Sequence, residues 1–354
     1  MSTHPYSDAA PWRLWRRAVA APAMADVDPV VDFPFRIIPQ DRVVTAGSCF
    51  AQHIARHLRA QGYNYWVTEP AHPLLNAATA EAFGYGVYSA RYGNLYTARQ
   101  LLQLTRRAYG NFLPLDDVWA EDGAYFDPFR PAIQPGGFAS RLEFQLDQAQ
   151  HFAAVRRAMA ELDVFIFTLG LTESWEDSRD GAVFPLCPGT ARGTFDPARH
   201  QLRNLSVAET AQDLRDFIAL LHSVNPAARV ILTVSPVPLV ATAEPQHVLT
   251  ATTYAKANLR VAAEMMSREG LAAYFPSYEI ITSPYTRGAY FADDLRSITE
   301  DGVAHVMRLF FKHASSGAIA PAAAAAPRPD AFAMMRETVE VLCDETALDP
   351  ALNR

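Results

Sequence analysis

The run Thr45-Ala46-Gly47-Ser48-Cys49-Phe50 puts a thiol and a hydroxyl side by side where a strand gives way to a helix. Arg42-Val43-Val44-Thr45-Ala46 reads as a short buried strand ended by Gly47. Residues 50–61 place Phe50, Ile54 and Leu58 at helical spacing, and Gly62 is a helix stop. A nucleophile on such a turn is held exposed, and the helix N-terminus lends positive potential that favours thiolate or alkoxide. An isolated cysteine is usually a small buried hydrophobe. The turn is what makes Cys49, or Ser48 beside it, a candidate for covalent acyl chemistry.

A nucleophile needs a base. His53 lies four residues after Cys49, one turn along the same helix face. His247 follows the end of a later strand. Both stay open as candidates, because a single histidine is more often structural than catalytic. Cysteine tolerates a distant base better than serine does, since its thiol pKa is near ~8.5 before any helix effect. No close His/Asp/Glu constellation is visible, so no metal is expected. Gly84-Tyr85-Gly86 lacks the strand–glycine–helix frame of a phosphate loop, so no cofactor is expected either.

The elements that must position these residues alternate. Buried strands are predicted at 42–46, 163–169 and 229–234, with a further short one from 273. Helices are predicted at 50–61, 98–109, 148–161, 207–223, 252–268 and 300–313. This is an α/β chain, a three-layer α/β/α sandwich around a parallel sheet. Residues 1–35 form an N-terminal arm expected to pack through its aromatics. Residues 36–314 are the domain, with insertions near 110–150 and 178–205. An Ala/Pro-rich linker (315–330) and a C-terminal helix and tail (331–354) follow. Ligands of open parallel sheets bind beyond the carboxyl ends of the strands. That rule selects segments 47–53, 170–175, 235–247 and 291–299, and polar residues gather in all four.

Gly47-Ser48-Cys49-Phe50-Ala51 is identified as the signature of the GSCFA family. Phe167–Trp175, Thr233–Pro238 and Phe275–Ile280 are similar to that family's later blocks, so the resemblance spans roughly residues 36–312. The family in turn resembles the SGNH/GDSL hydrolases, which implies a flavodoxin-like fold and acyl-ester chemistry. In register with the Gly-Asp-Ser-Leu block, Cys49 takes the serine position and Ser48 the variable one. A one-residue shift inverts that order. The resemblance implies oxyanion donors from Gly93 or Asn94 and from the third block. There Thr172 stands where asparagine is expected, followed by Glu173, which reads as an orienting or substrate-binding carboxylate or as a helix N-terminal one. The closing Asp-x-x-His becomes Asp294-Leu295-Arg296-Ser297. Ser297 replaces the histidine, so the usual dyad is missing at that place.

Composition narrows the partners. A net charge of −7 argues against a nucleic-acid surface, and half the residues are hydrophobic, ample for a core. Three scattered cysteines fit neither a disulfide framework nor zinc, and suit a reducing, cytoplasmic setting. No run reaches the ~18 apolar residues of a membrane span. Trp12-Arg13-Leu14-Trp15-Arg16-Arg17 followed by Ala18–Ala25 mimics a secretion signal. The alanine-rich stretch broken by Pro22 favours an amphipathic arm instead. Two functions are compatible with these residues. One is an acyl-ester hydrolase or acyltransferase acting on a small or carbohydrate-linked ester. The other is a non-catalytic glycan- or acyl-ligand-binding protein on a degenerate hydrolase scaffold. Nothing in the chain specifies an oligomeric state.

Overall fold

The computed structural model describes residues 4–316 and Leu348. The linker and C-terminal helix expected beyond 316 lie outside the described residues, Leu348 aside.

Four strands form the central sheet: β1 (Val43–Gly47), β4 (Val164–Leu169), β8 (Arg229–Val234) and β9 (Ala273–Phe275), in the order β1-β4-β8-β9. Every pairing is parallel, with Gly47 opposite Thr168 and Thr168 opposite Thr233. Alternate residues feed two separate cores, as the period of a pleated strand demands. Val44, Ala46, Phe165, Phe167, Val230 and Leu232 face α3 (Ala98–Ala108), α4 (Arg141–Glu161), α5 (Val207–Val224) and α6 (Val248–Arg268). Val43, Val164, Ile166, Ile231 and Phe275 face α1 (Ala51–Ala60), α7 (Ser277–Thr282) and α8 (Glu300–Ala314). Both faces are covered, which explains why the strands read as unbroken apolar runs. A short helix α2 (Ala77–Ala82) lies in the loop ahead of α3.

The expected insertions have structure of their own. Residues 110–140 carry the hairpin β2 (Trp119–Glu121) and β3 (Ala124–Phe126), and α4 starts at Arg141, earlier than its periodicity suggests. Ser140 accepts a hydrogen bond from the Glu143 N–H and caps it, while exposed Leu142 and Leu146 blur the pattern of the first turns. Around the second insertion, read as a loop or hairpin, β5 (Glu173–Asp177), β6 (Val183–Phe184) and β7 (His200–Asn204) form an antiparallel sheet in the order β6-β5-β7.

The N-terminal arm divides in two. Its second half docks: Val27 and Val30 are buried, Asp28 pairs with Lys312 and His313 at 2.7 Å each, and Phe33 meets Phe275. Its first half does not pack through its aromatics as expected, since Tyr6, Trp12 and Trp15 are all exposed. Among the described residues, no helix is long and apolar enough to cross a membrane.

Candidate active site

Gly47 ends β1 in a conformation that only glycine tolerates. Its φ is +137°, and an added Cβ would lie 2.3 Å from the Thr168 carbonyl oxygen. This close approach lets the Ser48 N–H donate to that same carbonyl at 3.1 Å, which locks the turn onto β4. The chain then winds tightly. The Ser48, Cys49 and Phe50 carbonyls accept from the N–H groups of Ala51, Gln52 and His53, three residues on, and α1 follows.

Ser48 and Cys49 are both buried. The Ser48 backbone N–H is already committed to Thr168, and its side chain packs against Gly170, where an added Cβ would come within 2.9 Å of the Ser48 Cβ. A nucleophile that uses its own N–H to steady an oxyanion cannot also spend it on a strand carbonyl. Cys49 sits one residue on, at the mouth of α1.

The donors expected at Gly93 and Asn94 come to the same place. The Leu95 N–H donates to the Gly47 carbonyl at 2.9 Å, pulling the 90–96 loop across the end of β1. The Gln52 amide donates to Oδ1 of the buried Asn94 at 3.3 Å. Gly93 adopts φ +71° and lines a cleft of about 70 Å³ with Asn94, Tyr88, Phe129, Ile133 and Pro185. The roof of that cleft is the 110–140 insertion.

Thr172 and Glu173 are placed differently from a third-block donor. The Thr172 hydroxyl donates to Asn204 Oδ1 at 2.7 Å, so its proton serves β7 and not an oxyanion. Glu173 accepts from the Thr242 hydroxyl at 2.7 Å and the Ala243 N–H at 3.3 Å. Burial pushes its carboxyl above the usual range.

All four segments chosen from the strand-end rule meet. Gly170 touches Ser48, Glu173 holds residues 242–243, and Arg296 Nε donates to the Pro238 carbonyl at 3.2 Å. Asp294 and Ser297 form an exposed turn closed on itself. The Ser297 hydroxyl donates to Asp294 Oδ2 at 2.6 Å, and the Arg296 and Ser297 N–H groups bond Oδ1. Ser297 thus keeps the partner a histidine would have, without a proton acceptor for the nucleophile.

The two histidine candidates sit in different surroundings. His53 is buried in α1 against Phe50, and burial, aided by Arg56 and His57, lowers its pKa to about 4. His247 is exposed and caps α6, its Nδ1 accepting from the Leu249 N–H at 3.1 Å. That bond puts the ring proton on Nε2, where a base needs its lone pair.

Lys256 fills part of the gap. It is fully buried on α6, and its Nζ donates to the Gly170 carbonyl at 2.8 Å, on the residue that touches Ser48. Nothing in the helical pattern marks it, but composition does. Only Lys256 and Lys312 are lysine among 31 basic residues.

The expectation of no close metal-type cluster needs correcting. Asp116, Asp177 and His200 bring their ligand atoms within 4.8 Å of one another, from positions too dispersed to read in sequence. Their valences are taken. Arg179 bonds Asp116 and Asp177 at 2.9 and 2.6 Å, and Arg199 pairs with both. His200 Nδ1 accepts from the Asp196 N–H at 3.0 Å, leaving a protonated Nε2. The cluster is an ion-pair knot under β5 and β7.

The family model for GSCFA matches residues 42–310, which takes in β1 through most of α8. The chain belongs to the GSCFA family. No curated protein matches it. The GSCFA motif that names the family is the Gly47–Ala51 turn: glycine for the contact with Thr168, Ser48 for the clasp on β4, Cys49 at the helix mouth, and Phe50 and Ala51 packed beneath.

Proposed function

We propose that this chain is an acyl-ester hydrolase or acyltransferase that works through a thioester on Cys49. The observation that carries the reading is the turn itself: the Ser48 N–H is spent on the Thr168 carbonyl, so Ser48 is the poorer candidate for a nucleophile that uses its own N–H, and Cys49 follows it at the entrance of α1. The entrance of α1 is a place where a helix N-terminus favours a thiolate. A preformed thiolate attacks without a base, which fits the absence of a histidine at Ser297.

In this reading the Cys49 Sγ attacks the acyl carbon and the carbonyl electrons move to oxygen. The Gly93 N–H and the Asn94 amide stabilise that oxyanion. The C–O bond breaks, and the alkoxide leaves with a proton taken from water. Water or a carbohydrate hydroxyl then attacks the thioester, loses its proton, and returns the thiolate. The small cleft beside Gly93 suits a short acyl chain, with any sugar outside it.

Separate Cys49→Ala and Ser48→Ala variants, assayed on short acyl esters and thioesters, test this. Cys49→Ala should lose on the order of a thousandfold in kcat or more, while Ser48→Ala keeps turnover within about tenfold. Full turnover in Cys49→Ala ends the proposal.

The second reading, a non-catalytic ligand-binding protein, draws on the self-closed Asp294–Ser297 turn and the capped His247. It expects a glycan or acylated ligand to bind while Cys49 resists an electrophilic acyl probe. Rapid, site-selective labelling would exclude it.

A further inference from the structure

The exposed half of the N-terminal arm takes no part in the site and has no internal reason for its composition. Residues 9–25 hold three arginines, Arg13, Arg16 and Arg17, and no acidic residue, in a chain whose net charge is −7. Trp12 is 54% and Trp15 65% exposed, on two helical turns, Pro11–Arg13 and Arg16–Ala20. Tryptophan and tyrosine side chains left in water at this level carry a cost that an occupant would relieve. Trp12 lies on the first turn and Trp15 leads into the second, beside the arginines.

This surface continues onto the body of the protein. Trp15, Val19 and Met24 share an open groove with Tyr285 and Arg287, the latter exposed at a left-handed turn with φ +50°. Among the described residues, Arg13, Arg16, Arg17 and Arg287 form no ion pair, whereas most other arginines here do. The arm itself is held firmly. Arg308 bonds the Ala25 carbonyl, His305 Nε2 bonds the Val27 carbonyl at 3.0 Å, and Lys312 holds Asp28. The patch is thus presented from a fixed base.

We propose that this patch docks the protein on an anionic lipid surface, with Trp12 and Trp15 at headgroup level and the four arginines against lipid phosphates. Interfacial tryptophans flanked by unpaired arginines match that boundary on both counts, apolar and electrostatic. A soluble polyanion satisfies only the arginines, and leaves the tryptophans in water. The docking is independent of the acyl chemistry, because it uses none of the same residues.

The test is co-sedimentation of the full chain with vesicles of phosphatidylcholine alone and of phosphatidylcholine mixed with phosphatidylglycerol. The mixed vesicles should retain the protein at least on the order of tenfold better, with a blue shift of tryptophan emission and loss of binding in high salt. Trp12→Ala/Trp15→Ala and Arg13→Glu/Arg16→Glu/Arg17→Glu should each abolish retention while their thermal melts stay at the parent value. Equal retention of the charge-reversed variant overturns the proposal. So does failure of the parent to bind mixed vesicles while a sulfated polysaccharide column retains it, which would assign the patch to a soluble polyanion.

Discussion

Cys49 and Ser48 are neighbours, and the proposal prefers Cys49 because the Ser48 N–H is spent on the Thr168 carbonyl. The same scale explains why the histidines disappoint. His53 is near enough in sequence to serve Cys49, yet the packing that holds α1 on the sheet removes it from water. Its ring stays neutral far below the usual range, at a pKa of about 4. The sign of the consequence is fixed. The unfolded chain binds this proton at pH below about 6.5 and the folded chain resists it, so stability falls as pH drops from about 6.5 through about 4. The loss from this one group is about 3 kcal/mol. Urea denaturation of His53→Gln at pH 7.5 and 4.5 should show that much less pH dependence than the parent. An identical drop in both proteins would contradict the burial account.

At the scale of elements, the sheet was the most legible part of the chain. Val43–Ala46, Val164–Leu169 and Arg229–Val234 are apolar runs because both faces are covered, and such runs announce themselves. Gly47 was legible as a strand end but not as a contact, since only the fold reveals Thr168 against it. Gly47→Ala should cost about 3 kcal/mol or more, combining an unfavourable φ with the 2.3 Å approach to the Thr168 oxygen. Thermal melting measures it, and a shift under a degree or two would mean the turn relaxes freely. The early start of α4 and the β5-β6-β7 sheet were not legible. Their short strands and exposed leucines give periodicity nothing to register.

At the scale of the molecule, what escapes sequence is convergence of distant charges. Lys256 reaches Gly170 across 86 positions, and Asp116 meets Asp177 through two arginines. The same holds for the buried network that fastens the 110–140 insertion. Arg130 bonds Asp127 and Asp147 at 2.8 Å each, Arg91 bonds Asp147 at 2.6 Å, and Glu69 bonds His151 at 2.8 Å. Burial alone would raise Glu69, but His151, Arg130 and the Arg91 N–H bring it down to about 2. Arg130→Met strands the buried Asp127 carboxylate, Asp147 keeping Arg91, and should cost about 3–5 kcal/mol, little changed by salt because the groups are buried. Because Arg130 also lines the cleft at Gly93, loosening this network should widen the roof of the candidate site. Denaturation at low and high salt checks the stability; a cost under about 1 kcal/mol would place the network outside the cooperative core.

The most direct measurement for the whole account is intact-protein and peptide mass spectrometry after brief exposure to an activated short-chain acyl ester. The account predicts one acyl adduct, on Cys49, formed as readily in Ser48→Ala and absent in Cys49→Ala. An adduct on Ser48, or none while the parent turns over esters, would contradict it.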